Sequence, residues 1–341
     1  MRAMRIVEYG EPLVLQDIDV PKPSSKGATV KVLACGVCHS DLHLIDGLVK
    51  TEELGGTRPY TPGHEVAAQV FEVGPEATNL KVGDLMLVNW LVSCGECEYC
   101  RLGAENLCER LTLLGINADG GYAEYLHIPK ASNLLHLDGL SPEDACTLAC
   151  SGTTMFRVIR RSQLIPGQYL VVYGVGGLGV MAIQIARAFG VTEVIAVDII
   201  EEKLRLAEKL GAHYVVDGRQ DPVNRVLELT RQKGAKVVID LVGSDETLQN
   251  SMKMLGKLGK LFAVGIGKGT IRAYSTDLLN RELEITSVLC ARQEDFVGVL
   301  ALAKKGLVKP VISKVLRLEE ANEAIEELRL GKLLGRAILK P

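Results

Sequence analysis

Tyr169-Leu-Val-Val-Tyr173-Gly174-Val-Gly176-Gly177-Leu178-Gly179 is the stretch that decides the fold. Its first five residues carry no charge and do not alternate, as in a strand buried on both faces. They run straight into G-x-G-x-x-G, and the following Val-Met-Ala-Ile-Gln-Ile-Ala reads as a helix. Glycine triplets of this spacing are a weak signal alone; the strand before and the helix after supply the context the motif needs. Here the glycines permit a tight turn and let the backbone approach a pyrophosphate at the positive helix N-terminus. Asp198 closes the next apolar run, nineteen residues past Gly179. A carboxylate there accepts hydrogen bonds from ribose hydroxyls and repels a 2′-phosphate. Ile199 follows, with no arginine to welcome that phosphate, so NAD is expected rather than NADP.

Working outward, strand-like runs at 169–173, 193–197, 213–216, 236–241 and 260–264 alternate with helical patterns at 177–189, 201–210, 221–233 and 246–255. Repeated βαβ units build a doubly wound parallel sheet covered by helices. The chain before residue 150 reads differently. Short β-type runs at 29–33, 66–73 and 85–88 are broken by turns such as Val73-Gly-Pro and Val82-Gly-Asp. Ser141-Pro-Glu-Asp is a helix start expected to open the helical segment that joins the two regions. From about residue 290 the βαβ rhythm stops. A closing helix near 318–328 and a terminal strand, Arg336-Ala-Ile-Leu, are expected to rejoin the first region. The expected organisation is α/β: a β-rich domain over 1–150 and 290–341, and a doubly wound parallel-sheet domain over 151–289.

A length of 341 residues fits two domains at roughly 150 residues each. A net charge of −3 and a pI near 6.1 give no general attraction to nucleic acid or anionic membranes. Met1-Arg-Ala-Met-Arg-Ile-Val-Glu lacks a secretory stretch, and the longest nearly apolar run, 169–183, holds four glycines and is too short to span a bilayer. A cytoplasmic protein acting on a small molecule, without nucleic-acid or membrane partners, is expected.

Four of the nine cysteines, Cys94, Cys97, Cys100 and Cys108, fall within fifteen residues. Without a signal peptide such clustering points to metal rather than disulfides. Four thiolates close the zinc shell and leave no place for substrate, which makes the lobe at about 94–108 a structural site. Glu96, Glu98, Glu105 and Glu109 flank the lobe and oppose a nucleic-acid-binding role. A second set is scattered. Cys38 lies in Gly-Val-Cys38-His39-Ser40-Asp41-Leu-His43, His64 in Gly-His64-Glu65, and Cys150 in Cys150-Ser-Gly-Thr-Thr154. Two cysteines and a histidine with a fourth position free make a catalytic zinc arrangement. Spacing alone does not choose Cys150 over Cys146, or decide whether Cys35 takes part.

In these motifs, together with Pro62-Gly-His64-Glu65-Val and Leu114-Gly-Ile-Asn-Ala-Asp-Gly-Gly-Tyr-Ala-Glu-Tyr125, the chain resembles the zinc-containing medium-chain alcohol dehydrogenases over essentially its whole length. It looks closest to their tetrameric microbial and archaeal branch. The resemblance implies a GroES-like catalytic domain and a Rossmann domain, two zinc ions per chain, and Cys38, His64 and Cys150 as ligands of the catalytic one. It implies that Glu65 approaches the metal transiently and that Asp41 orients His64. Ser40 would take the alcohol proton and pass it, through the cofactor ribose, to His43. His39 and Arg336 would meet the pyrophosphate, Lys203 the adenosine ribose and Thr154 the nicotinamide. Trp90 and Leu114, with residues near Cys290, would line the substrate pocket.

The chemistry is coherent without the family. An alcohol is about as weak an acid as water, and zinc lowers the pKa of bound water from about 15.7 to about 7. A comparable shift for an alcohol is roughly 9 units, about 12 kcal/mol, which no side-chain base supplies. Reversible NAD-linked oxidation of primary or secondary alcohols is therefore expected. A polyol or sugar dehydrogenase would need extra carboxylates and amides near the metal, and a threonine-type amino-alcohol dehydrogenase a partner for the ammonium. A non-catalytic zinc- and nucleotide-binding protein is the reading from a different class. The apolar run Leu283-Glu-Ile-Thr-Ser-Val-Leu offers an edge for subunit pairing, and a homotetramer is expected by the resemblance.

Overall fold

The computed structural model describes residues 1–191 and 193–341. It divides into two compact units. One comprises Thr154–Cys290 and Lys305–Lys309, the other Met1–Thr153, Ala291–Lys304 and Pro310–Pro341.

The Thr154–Cys290 unit holds a six-stranded sheet, parallel throughout. Its order across the sheet is Tyr214–Asp217, Glu193–Asp198, Tyr169–Tyr173, Ala235–Asp240, Leu255–Ala263, Glu284–Thr286. The first strand in sequence is thus central, and the order reverses beside it, which is where open α/β sheets place ligands. Leu170, Val171 and Val172 are fully buried, so this strand reads as a continuous apolar run. Val171, Ile195, Val238 and Leu261 from four neighbouring strands share one core cluster.

The expected elements of this sheet are present, with two boundaries corrected: the strand expected over 260–264 covers Leu255–Ala263. The pattern over 221–233 forms a helix only over Pro222–Leu229. Thr230 Oγ1 donates back to Val226 O at 2.8 Å, and Arg231 and Gln232 turn left-handed at φ 54° and 61°. A hydroxyl competing for helix carbonyls ends the helix four residues early. Of the apolar run 283–289, only Glu284–Thr286 is a strand, at the sheet's edge.

In the other unit a seven-stranded sheet is built around Ala28–Gly36. That strand pairs antiparallel with Glu65–Val73, Tyr125–Ile128 and the terminal strand Arg336–Lys340. Gly36 is opposite Glu65 on one side and Ile338 on the other, so Glu65 and the start of the terminal strand meet at one end of the strand. Ser141 caps its helix as expected, accepting from Asp144 N–H at 3.1 Å. The helix does not continue, however. It covers Pro142–Cys146, passes through a 3-10 turn at Thr147–Ala149, and breaks at Cys150 (φ −122°, ψ −68°) before Ser151–Ser162. Ser151 and Thr153 hydroxyls take the carbonyls of Thr147 and Ala149 at 2.8 and 3.0 Å. The break leaves Cys150 at a corner rather than on a helix face. Among the described residues, no helix is long and apolar enough to cross a membrane.

Candidate active site

Cys38 sits just past the strand Ala28–Gly36, at the N-cap of the short helix His39–Ile45. His64 immediately precedes the strand Glu65–Val73. With the corner at Cys150, these elements bring donor atoms of Cys38, His64, Glu65 and Cys150 within 4.8 Å of one another, all four residues buried. Ligands at 2.0–2.3 Å in a tetrahedron are separated by roughly 3.3–3.8 Å, so the cluster has the size of a zinc shell. The other candidates turn away: Cys146 Sγ faces Glu143 O at 3.4 Å, and Cys35 Sγ faces Gly36 O at 3.8 Å.

The electrostatics fit a cation. His64 Nε2 is buried with no hydrogen-bond partner, a costly arrangement unless a ligand meets it. Cys38 is held well below its ordinary thiol value, first by its hydrogen bond with Cys150, then by Arg336 and His64 against the opposing effect of burial. Burial disfavours a charged His64, yet Asp41 and Cys38 outweigh it and push the imidazole well up. The pocket therefore favours thiolate and extra positive charge together, as a zinc site does.

Asp41 braces the histidine. Its Oδ1 lies 3.4 Å from His64 Nδ1, a charge contact longer than a good hydrogen bond. Its Oδ2 accepts from Cys38 N–H at 2.8 Å and from Tyr122 OH at 3.0 Å. Tyr122, which the sequence reading did not single out, thus steadies the carboxylate; it lay within the quoted Gly-Gly-Tyr motif. Trp90 packs on His64 with ring centroids 4.8 Å apart and donates Nε1–H to Ala149 O at 2.9 Å, beside Cys150.

The four lobe cysteines also lie with their sulfurs within 4.8 Å of one another. The Cys94–Cys100 and Cys97–Cys100 separations are 3.9 and 3.5 Å, near the roughly 3.8 Å edge of a zinc tetrathiolate. Backbone N–H groups of Glu96 and Cys97 point at Cys94 Sγ and lower that thiol to about 6. The donor set and the amide cradle suit a closed zinc site.

In the parallel-sheet unit, Gly174 follows the central strand at φ 100° and a Cβ on Gly179 would lie 2.2 Å from Gly174 O. Both positions therefore require glycine. A Cβ on Gly176 meets nothing within 4 Å, so its bareness answers no protein neighbour and leaves room for a ligand at the start of the helix Gly177–Ala188. Asp198 reaches this loop: its Oδ2 accepts from Val175 N–H at 2.7 Å and its Oδ1 from Ile200 N–H at 3.0 Å.

The alcohol dehydrogenase GroES-like domain family matches residues 24–139, and the zinc-binding dehydrogenase family matches residues 177–305. An NAD-dependent alcohol dehydrogenase of Sulfurisphaera tokodaii is 44% identical, with both chains covered in full. One from Saccharolobus solfataricus is 43% identical over the same extent. The chain belongs to the zinc-containing medium-chain alcohol dehydrogenase family. The crystal structure of the alcohol dehydrogenase from Aeropyrum pernix superposes with a TM-score of 0.95 at 37% identity, covering 100% of each chain. As a member of that family the chain is an NAD-dependent oxidoreductase with zinc as its metal.

The remaining expected site residues of this alcohol dehydrogenase fall as follows. Ser40 Oγ lies 3.7 Å from Cys38 Sγ, and His43 follows on the same face of the short helix, half-buried. His39 is exposed, its ring 6.4 Å from that of His43. Leu114 is buried and donates its N–H to Trp90 O at 3.0 Å. Thr154 is buried, while Lys203 and Leu178 are half-buried. Arg336 lies at the metal cluster: its Nη2 is 2.9 Å from Glu65 Oε1 and 3.4 Å from Cys38 Sγ. Burial works against its charge, but Cys38, Glu65 and Cys150 outweigh it and keep the guanidinium charged. Burial also pushes Glu65 up to about 7, although Arg336 opposes the shift.

Glu65 leaves no room behind it. A Cβ at Gly36 would stand 2.2 Å from Glu65 Oε2, while Oε1 is held by Arg336. Gly36→Ala is expected to displace the carboxylate and to cost roughly 1–3 kcal/mol, as overpacking does. Denaturant unfolding of the zinc-loaded protein measures this, and an unchanged midpoint would contradict it.

Proposed function

We propose that this alcohol dehydrogenase oxidises apolar primary and secondary alcohols reversibly to aldehydes and ketones, using the side chains around Cys38, His64 and Cys150. The observation that carries this reading is the buried two-cysteine, one-histidine cluster with His64 Nε2 unpartnered and the Ser40 hydroxyl beside it. When bound, zinc supplies the Lewis acidity that makes an alcohol hydroxyl acidic, and NAD supplies the hydride acceptor.

The chain's own residues do the rest. Cys38, His64 and Cys150 hold the metal, and Asp41 keeps the His64 ring in place through its contact at Nδ1. Ser40 Oγ receives the hydroxyl proton, and His43, one turn on, leads it toward solvent. Glu65 and Arg336 balance the charge of the cluster, with Glu65 Oε2 free to approach the metal. Buried Trp90 and Leu114 give the substrate side apolar walls, which favour aliphatic, cyclic or aromatic alcohols over polyols. The glycine loop, with Leu178, receives the pyrophosphate. Asp198 and Lys203 meet the adenosine ribose, and Thr154 the nicotinamide.

Initial rates of NADH formation across primary, secondary, cyclic and polyol substrates test this. The expected result is turnover of apolar alcohols, with NADP used far less well. Rates confined to polyols or amino alcohols would overturn the substrate assignment. A double substitution, Asp198→Ala with Ile199→Arg, removes a charged acceptor worth about 1.5–3 kcal/mol and adds a partner for the 2′-phosphate. The NADP-to-NAD ratio of kcat/KM is expected to rise at least about 100-fold, in steady-state assays of both cofactors.

A homotetramer is supported by the edge strand Glu284–Thr286, where Ile285 is exposed. Light scattering that gave a monodisperse monomer would refute it. A cytoplasmic location fits nine cysteines of which none is paired in a disulfide.

A further inference from the structure

At the end of the parallel sheet opposite the glycine loop lies a cavity of about 970 Å³, bounded by the starts of the strands at Tyr169, Glu193, Ala235 and Leu255. Six cationic side chains line it: Arg231, Lys233, Lys236, Lys253, Lys257 and Arg281. Glu193 is the single carboxylate among its lining residues. In a chain of net charge −3 this is a concentrated reversal of sign.

Part of the charge has a local structural cause. The helices Pro222–Leu229 and Asp245–Met254 end here, and their C-termini attract cations. Arg281 donates to the carbonyls of Leu255 and Met252, and Lys236 Nζ to Leu258 O at 2.6 Å. Two helix ends supply only about half a negative charge each. Six cations against one carboxylate leave an excess of five, so most of it is not offset. Among the described residues, none of the six forms an ion pair with a carboxylate. Arg231, Lys233, Lys253 and Lys257 are exposed at the rim, while Lys236 and Arg281 lie deeper. A concave wall of one sign focuses its field inward and selects multivalent anions of matching size. Half-buried Tyr169 and Leu227 add an apolar patch to the same wall.

We propose that this cavity is a second anion site, distinct from the glycine loop, that binds a linear polyphosphate group, either free or carried by a nucleoside. The concavity and its volume suit a small molecule rather than a nucleic-acid duplex. The rim lysines contact the outer phosphates, Lys236 and Arg281 the deepest one, and Tyr169 is placed to stack on a base.

The test is calorimetric titration of inorganic pyrophosphate and of ATP into the zinc-loaded enzyme, with NADH saturating so that the glycine loop is filled. One site per chain is expected at low salt, weakening steeply as salt is added. The variant Lys233→Gln/Lys253→Gln/Lys257→Gln should bind at least tenfold more weakly while oxidising alcohols at the wild-type rate. ATP binding tighter than pyrophosphate, with the difference lost in Tyr169→Ala, identifies a nucleoside carrier; equal affinities identify free polyphosphate. No heat in the presence of NADH, or equal binding by the triple variant, overturns the proposal.

Discussion

His64→Ala is expected to lower kcat for alcohol oxidation by at least about 10⁴-fold, while binding of NADH persists. The ligand cluster has one imidazole, and its Nε2 is buried with no hydrogen-bond partner. Alanine leaves two cysteines and Glu65, and removes the group that Asp41 and Trp90 are arranged to hold. The Lewis acidity at stake is worth up to about 12 kcal/mol, the equivalent of roughly 9 pKa units. Losing half of it already corresponds to about 10⁴ in rate. Elemental analysis should fall from two zinc ions per chain to one. The glycine loop and Asp198 belong to the other compact unit, so NADH fluorescence should still report cofactor binding. Turnover within tenfold of wild type after loss of one metal would refute the assignment of the catalytic site.

The two halves of the chain were legible to different degrees. In the parallel-sheet unit, strands such as Tyr169–Tyr173 are buried on both faces and stand out as unbroken apolar runs. The glycine motif must follow such a strand, so motif and fold corroborate one another. What escaped was local competition for hydrogen bonds. Thr230 ends one helix early, and Ser151 and Thr153 bind back where Cys150 breaks another. Each depends on which carbonyl a hydroxyl finds, and a pattern of apolar residues does not encode that.

The metal cluster was legible only as a set of candidates. Cys35 and Cys38 are three residues apart, and so close in sequence that only backbone direction separates their roles. The strand Ala28–Gly36 turns Cys35 into the core, whereas Cys38 falls past its end at a helix cap. Spacing carried no such information; the family resemblance did. The approach of Arg336 to Glu65 needs still more, namely the pairing of the terminal strand with Ala28–Gly36 across the whole length of the chain. The terminal strand and its return were legible, but the register that sets Ile338 opposite Gly36, and so brings Arg336 to the cluster, was not.

Cys100→Ser is expected to release the second zinc and melt the lobe around it, with catalysis retained at temperatures below the transition. The lobe has little else to hold it. Its one-turn helix Glu98–Arg101 buries none of its residues, and Tyr99, Leu102 and Leu107 are exposed. Structural zinc contributes on the order of 10 kcal/mol to the folding of small metal-bound modules. Here the loss should be smaller, because the strand pair Leu91–Val92 with Thr112–Leu113 closes the base of the lobe and Lys130 ties Ser93 and Cys94. The damage should not stop at the lobe, however. Glu105 accepts the N–H of Gln293 at 2.6 Å, at the first residue of the helix Gln293–Lys304, so a molten lobe also uncaps that helix. A net loss of several kcal/mol lowers Tm by about 10 °C or more in a domain of this size. Calorimetry and limited proteolysis should show the lower transition and new cleavage within 94–108. A Tm within about 2 °C of wild type, with both zinc ions kept, would mean that three thiolates and the base of the lobe suffice.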